Sequence, residues 1–430
     1  MPESEPTTNP PLNPLGMTSA EFVRATKELT GLSNPLALAA YRRLFRVGAS
    51  GHSACVPHVA PIVRVLEDES PEGKVYKFLQ RVPAVAEANQ GEYESASRTP
   101  DSGLAALHAS LAATPAGVRP GSSGPSASAL RLTQFRELDI ESVLIPMVGK
   151  TGVLHYTLCV SSQVGCAMNC GFCETAQMGL IRSLTAAEIV EQWFAATHLL
   201  GHTVRNMVFM GMGEPLDNYD NLMQAISVLI DHNGAAFPAS KITVSTVGRL
   251  DGLAKMKAKL NTPGWHRLNL AVSLNAPNDE IRSKIMPINR SMPMAALRDM
   301  LTTWPIYGGG KICMEYVLIP GVNDAREHAA QLAAYIAPID AYYATQTNAK
   351  TPRVILNLIP YNPRRNSPWP APAEEKVDEF LGWLRAEGLY AKRRRTKGRA
   401  MMGACGQLGS ESIRKRRLVG VETDGGSLIQ

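Results

Sequence analysis

Nothing in the 430 residues reads as a leader or as a run able to cross a bilayer. Its first residues, MPESEPTTNPPLNP, hold neither a basic n-region nor an apolar core, and no later stretch reaches the uncharged apolar length of a membrane span. A soluble cytoplasmic protein is therefore expected. Cysteine is scarce and odd in number, seven in all with three of them in one loop, which excludes a disulfide framework and points to reduced thiols and metal ligation. Charge of one sign is not in great excess: the net charge is +6. With 45% hydrophobic and 19% charged residues, the chain is long enough to bury a large core and to hold a main domain beside an accessory one.

What is present is more specific. Cys166, Cys170 and Cys173 form a CxxxCxxC run inside SSQVGCAMNCGFCETAQMG, with no fourth cysteine nearby. A cubane [4Fe-4S] cluster has four irons, so three thiolates leave one iron open for a substrate or cofactor, whereas structural zinc sites and electron-transfer clusters close all four positions. The pattern points to radical chemistry on S-adenosylmethionine (SAM). The alternative is a zinc ion held by these cysteines and a distant histidine. A second local signal is basic: six of the eight residues from Lys392 to Arg399 (KRRRTKGR) are Lys or Arg, and Arg414 to Arg417 adds RKRR. Such density suits nucleic-acid phosphates, with a solvated face as the equal alternative.

Along the chain, residues 1–16 are proline-rich and read as loose, and residues 17–82 as a helical accessory unit. In that unit Thr18 and Glu21 have capping-box spacing, and LALAAYRRLFRVG follows Asn34-Pro35 as a second helix. Residues 83–138 are rich in Ala, Ser, Gly and Pro and read as a disordered insertion at a strand connection, between GKVYKFLQRV and DIESVLIPM. From 139 to 409 the rhythm becomes strand then helix. Six strands are expected, at 156–162, 206–211, 241–247, 268–274, 312–319 and 354–361, with amphipathic helices such as TAAEIVEQWFAATHLL and AREHAAQLAAYI between them; 410–430 is a tail. The expected fold class is α/β, a partial (β/α)6 barrel with a small N-terminal helical domain. The glycine-rich and polar signatures fall just after strands, where such barrels build active sites.

The blocks TLCVSSQVGCAMNCGFC, FMGMGEPLDNYDN, KITVSTVG, LNLAVSLNAPNDEIRSKIMPIN, EYVLIPGVND, NLIPYNP and ACGQL, in this order from Glu141 to Leu408, resemble the RlmN/Cfr family of radical-SAM RNA adenine methyltransferases. The resemblance implies a [4Fe-4S] cluster on Cys166, Cys170 and Cys173, and SAM contacts from Gly213, Glu214, Ser245, Ser273, Leu274, Asn275 and Asn362. It implies that Cys405 carries a methyl group, that Cys159 later forms a disulfide with it, and that Glu141 is the general base. The implied activity is methylation of adenosine C2 in 23S rRNA, with tRNA as a further substrate, by a monomer served by an external electron donor and a thiol reductant. Cys55 and Cys313 match no motif and are read as packing cysteines.

Two departures stand out. Asn275 occupies the place of histidine in the family's SLHAP motif, and GRAMMGACGQL replaces GDDIDAACGQL before the methyl-carrying cysteine. They bear on the RNA target and leave open another RNA or methylation at C8; the competing readings of the chain are another radical-SAM activity, such as glycyl-radical activation or sulfur insertion, and a metal-stabilised RNA-binding module.

Overall fold

The computed structural model describes residues 12–84, 136–149, 151–307, 310–347 and 351–409. Helix α1 (Ser19–Thr30) opens on the expected capping box: Thr18 Oγ1 accepts the Glu21 N–H while the Glu21 carboxylate accepts the Thr18 N–H at 2.8 Å. Helix α2 (Asn34–Val47) starts with Pro35 in its first turn, where a missing N–H costs nothing, and stops at Gly48 in a left-handed conformation. Phe22, Tyr41, Leu44 and Phe45 form the buried stripe of this pair, and Phe45 stacks on Trp193 of the main domain.

Two boundaries differ from expectation. The end of the segment read as loose is ordered, because Leu15 is fully buried in a single 3-10 turn, Pro14–Gly16, capped by Asn13. The helical unit also ends at Val47 rather than near 82, since residues 62–83 form a hairpin, β1 (Ile62–Ser70) and β2 (Gly73–Pro83), that belongs to the main sheet. Strand β2 is buried on both faces between β1 and β3 (Glu137–Val148), pairing antiparallel with each. The Pro83–Glu137 pair and the Ala84 N–H to Arg136 carbonyl bond bring the two ends of the intervening segment together. The expected disorder of that segment and the RKRR run of the tail lie outside the described residues.

From β3 the sheet continues through β4 (Leu154–Cys159); a two-residue pair follows in sequence, β5 (Gln163–Val164) with β6 (Arg182–Ser183). Then come β7 (Val204–Phe209), β8 (Ile242–Thr246), β9 (Asn269–Ser273), β10 (Ile312–Leu318), β11 (Val354–Pro360) and short β12 (Ala391–Arg393). The ten-stranded order is β1-β2-β3-β4-β7-β8-β9-β10-β11-β12, parallel from β4 onward. The six expected strands are thus the six long parallel ones, joined by helical crossovers as an α/β partial barrel requires. The helix over 326–347 runs past its expected end at 336, straight through Pro338; Ile339 and Tyr343 are buried beyond the proline, so packing outweighs the lost backbone bond. Among the described residues no helix is long and apolar enough to cross a membrane.

The accessory helices dock through polar anchors at one loop: Asp231 accepts the Ser19 N–H at 2.6 Å and the Asn233 N–H at 2.9 Å, and Arg42 donates to Asn233. Asp231→Ala leaves the buried Ser19 N–H without its acceptor, so it should cost about 1–3 kcal/mol. Hydrogen exchange should show the loss as faster exchange across residues 17–47.

Candidate active site

Strands β7 to β11 end by feeding their last residues toward one cavity. Cys166, Cys170 and Cys173, on the loop after β4, line one side of it with Met168 and Phe172. The loop has its own apolar cluster, separate from the main core, in which these residues pack with Ala276, Ile285, Met286, Ile319 and Tyr361. Burial pushes all three thiols above the ordinary cysteine range. Binding iron as thiolates would therefore mean losing these protons, with the metal's charge stabilising the thiolates in the dry site. Among the described residues no three His, Cys, Asp or Glu side chains converge as a single ion would require. The donor set, three thiols lining one wall of the cavity, fits a cubane that takes one thiolate on each of three irons.

Two buried arginines brace this wall. Arg364 donates to the Gly171 carbonyl at 2.7 Å, and Arg282 donates to the carbonyls of Leu274, Val247 and Ser273, joining the ends of β8 and β9 beneath the cavity. Neither was legible as a site residue, since an arginine in a helical or proline-flanked run usually faces water.

On the opposite wall are Gly213, Glu214, Ser245, Ser273, Asn275 and Asn362. Gly213 has φ +101, and a Cβ there would meet Gln163 Cβ at 2.6 Å and its backbone nitrogen at 2.9 Å, so only glycine fits. Glu214 accepts the N–H groups of Leu216 and Val247, at 3.1 and 2.9 Å, and burial pushes its carboxyl up to about 7. A buried carboxylate so placed can take the ammonium of an amino acid. The empty space of the cavity, open mouth included, is ≈ 990 Å³. Leu274 points elsewhere: it is fully buried in the main core and absent from the cavity wall.

Asn275 has φ +57, the left-handed conformation that asparagine tolerates. Its Oδ1 accepts the Val317 N–H at 3.0 Å and its carbonyl accepts from Asn323 at 2.8 Å, so it ties the end of β9 to β10 as well as lining the cavity.

A second cavity lies beside the first, lined by Cys159, Thr157, Met147, Arg393, Arg394, Arg395 and Lys397. Cys405, Asn362, Met210, Ile359 and Leu408 line both. Cys405 thus sits at the junction, and Asn362 Nδ2 reaches its carbonyl at 3.4 Å while Asn362 Oδ1 accepts from Arg399. Burial pushes the Cys159 thiol up to about 12, with Cys405 adding to the rise and Arg394 opposing it. Arg394 pairs with Glu315 at 2.9 Å, and the Cys405 sulfur, then Glu315 and Cys159, hold its guanidinium above the usual range.

The basic run is therefore not an open stripe. Arg394 faces inward, Arg393 pairs with Glu374 and Asp378, and Arg395 and Lys397 pair with Glu72. Glu141 lines neither cavity: its Oε2 meets Lys77 Nζ at 2.8 Å and accepts the Gly409 N–H at 3.0 Å. Cys55 is fully buried among core residues and Cys313 accepts from Asn357 Nδ2 at 3.0 Å, and neither lines the two cavities.

A loop of three cysteines at the carboxyl ends of a parallel partial barrel, facing a carboxylate and a glycine turn, defines a radical-SAM enzyme. The model of the Radical SAM superfamily matches residues 160–333. A probable dual-specificity RNA methyltransferase RlmN 1 of Protochlamydia amoebophila (strain UWE25) is 43% identical over 281 residues, 65% of this chain and 72% of that protein. The dual-specificity RNA methyltransferase RlmN of Lawsonia intracellularis (strain PHE/MN1-00) is 42% identical over 275 residues, 63% of this chain and 72% of that protein. A solved radical SAM methyltransferase from Sphaerobacter thermophilus matches with TM-score 0.68 at 29% identity, covering 92% of this chain and 99% of that one. The chain belongs to the RlmN family of radical-SAM RNA methyltransferases, and membership implies SAM and a [4Fe-4S] cluster.

Asn275→Ala should lower stability by about 2–4 kcal/mol, from a left-handed alanine and an unpaired Val317 N–H. Asn275→Gly should recover the conformational share only. Denaturant unfolding of the two variants separates the terms.

Proposed function

We propose that this chain methylates C2 of an adenosine in RNA, 23S rRNA and tRNA being the substrates, through a methylated Cys405. One observation carries the reading: Cys405 lines both the cavity of the three cysteines and the cavity of Cys159. The name dual-specificity RNA methyltransferase, borne by relatives about 40% identical, supports the choice of substrate. The enzyme works as a monomer in the cytoplasm, whose reducing conditions suit thiols that hold a cluster and return from a transient disulfide.

Cys166, Cys170 and Cys173 would hold the cluster, and Gly213, Glu214, Ser245, Ser273, Asn275 and Asn362 would hold SAM. When bound and served by an external electron donor, the cluster and SAM supply a hydrogen-abstracting radical. Adenine C2 is electron-poor and does not attack a sulfonium methyl, so the carbon has to be brought to it in reactive form. The Cys405 thiolate would attack that methyl carbon, the thioether left from SAM departing, and would present the carried carbon to the second cavity. The apolar wall of the cysteine loop keeps water away from the carried carbon. Glu141 takes the proton lost from the ring carbon in the RNA-bound state. With the carried carbon bonded to the ring carbon, the Cys159 thiolate would then bond to the Cys405 sulfur; the bond from that sulfur to the carried carbon breaks with its electron pair going to the carbon side, that carbon takes up a proton to become the methyl group, and the methylated base leaves. A thiol reductant returns the disulfide to two thiols.

Ribosomal and transfer RNA from a strain carrying only Cys405→Ala should lack the 2-methyladenosine made by the parent, by mass spectrometry of nucleosides. Cys159→Ala should instead accumulate RNA bonded to protein through Cys405. Loss of 8-methyladenosine in place of 2-methyladenosine would move the reaction to C8, and an unchanged profile would sink both readings.

Glu214 must be ionised to pair with an ammonium, and its carboxyl lies at about 7. As pH falls below that value protonation competes with SAM, so the Kd of SAM should rise about tenfold per pH unit between 7 and 5. Titration calorimetry should find this slope in the parent and lose it in Glu214→Gln, whose affinity should be uniformly weak.

A further inference from the structure

Residues 402–409 carry Cys405 and have no helix or strand to fix them. Both ends of this loop meet one buried ion pair. At the first, Lys77 Nζ donates to the Met402 carbonyl at 3.0 Å; at the other, Glu141 Oε2 accepts the Gly409 N–H at 3.0 Å. Lys77 and Glu141 are themselves joined at 2.8 Å, each about 4% exposed. The register Lys77↔Val143 and Leu79↔Glu141 sets them diagonally on one face of β2 and β3, under the loop.

A second observation is independent of the pair. Met402 has φ +53, a left-handed conformation that is unfavourable for a long side chain and persists only where its surroundings enforce it. Its neighbours do so. Met401 packs its side chain between Gly398 and Gly403, and the Gly403 N–H closes onto the Gly398 carbonyl at 2.8 Å. Lys77 then fixes the strained carbonyl itself.

We infer that Lys77 is a positioning residue: with Glu141 it holds both ends of the 402–409 loop and thereby sets the Cys405 sulfur at the junction of the two cavities. This rests on the reading that Cys405 accepts the methyl. A fixed ammonium suits the task, because three donors can serve a carboxylate and a carbonyl at once, and a low-dielectric site strengthens both bonds. It also explains why Glu141 stands outside both cavity walls: in this state its carboxylate closes the clamp.

The test uses full-length, cluster-loaded protein under anaerobic conditions. Lys77→Met leaves an unpaired buried carboxylate, so Lys77→Met/Glu141→Gln is made beside it to remove the pair without a stranded charge. Two quantities are read: single-turnover transfer of methyl from SAM to Cys405, by peptide mass spectrometry, and the rate at which iodoacetamide alkylates Cys405 without SAM. Iron content and thermal midpoint are measured on the same samples. The double variant should keep its iron and its midpoint within a few degrees, lose methyl loading by about tenfold or more, and show an altered alkylation rate. Parental loading and parental alkylation in the double variant would overturn the proposal. So would a loss of loading that merely follows a loss of iron or of fold. If the parent itself never carries methyl on Cys405, the methyltransferase reading fails, while equal alkylation rates in parent and double variant still decide against the clamp.

Discussion

The structure depends on holding an irregular peptide still in a buried place. A loop without ladder bonds must find partners for its N–H and C=O groups elsewhere, or lose the desolvation free energy of each. Here the partners are side chains and backbone from distant parts of the fold. Thr175 donates to the Leu408 carbonyl at 2.6 Å, the Glu174 N–H to the Gly406 carbonyl at 2.7 Å, and Gln407 to the Pro363 carbonyl at 3.1 Å. Upstream, Lys397 donates to the Pro146 carbonyl at 2.8 Å. The segment bearing Cys405 is thereby fastened to the cysteine loop on one side and to β3 on the other, which is why one sulfur can border two cavities.

The barrel makes this possible by bringing the chemistry to one rim. Strands β4 and β7 to β11 run parallel, so their carboxyl ends share a face, and the residues after them, Cys166 to Cys173, Gly213, Ser245, Ser273 and Asn362, converge there. The hairpin of β1 and β2 contributes from the other direction. Because it extends the same sheet instead of packing as a separate unit, Lys77 and Glu72 arrive at the edge of the second cavity as rigid parts of the scaffold. A site built on strands is positioned more closely than one built on loops alone.

Much of this was legible in the sequence, and the parts that were not share a cause. The six parallel strands announced themselves as short apolar runs between amphipathic helices, and the capping box at Thr18 named the start of α1 to the residue. Local chemistry writes such signals. What the sequence hid was which polar groups turn inward. Lys77 lies in GKVYKFLQRV like any strand lysine, although it shares the buried face of Val75; only the register with β3 shows its partner. The run KRRRTKGR reads as a phosphate-binding stripe, yet Arg393, Arg394, Arg395 and Lys397 each find a carboxylate more than ten residues away. Pro338 reads as a stop and is overridden by the packing of Ile339 and Tyr343. Long-range pairing decides all three, and periodicity carries no information about it.

The departures from the family pattern follow the same logic. Asparagine at 275 adopts the left-handed conformation and spends its side-chain oxygen on the Val317 N–H, so the residues after β9 are tied to β10 without an imidazole. In GRAMMGACGQL the acidic approach is replaced by a methionine hub closed on two glycines and by Arg399, whose guanidinium steadies Asn362 at the wall common to both cavities. Acidic groups near a polyanion would repel it, and a cation on the same rim removes that repulsion. In this chain the Cys405 segment is thus held by backbone closure around Met401 and by the Arg399–Asn362 pair, beside the cavity of the three cysteines and the glycine turn.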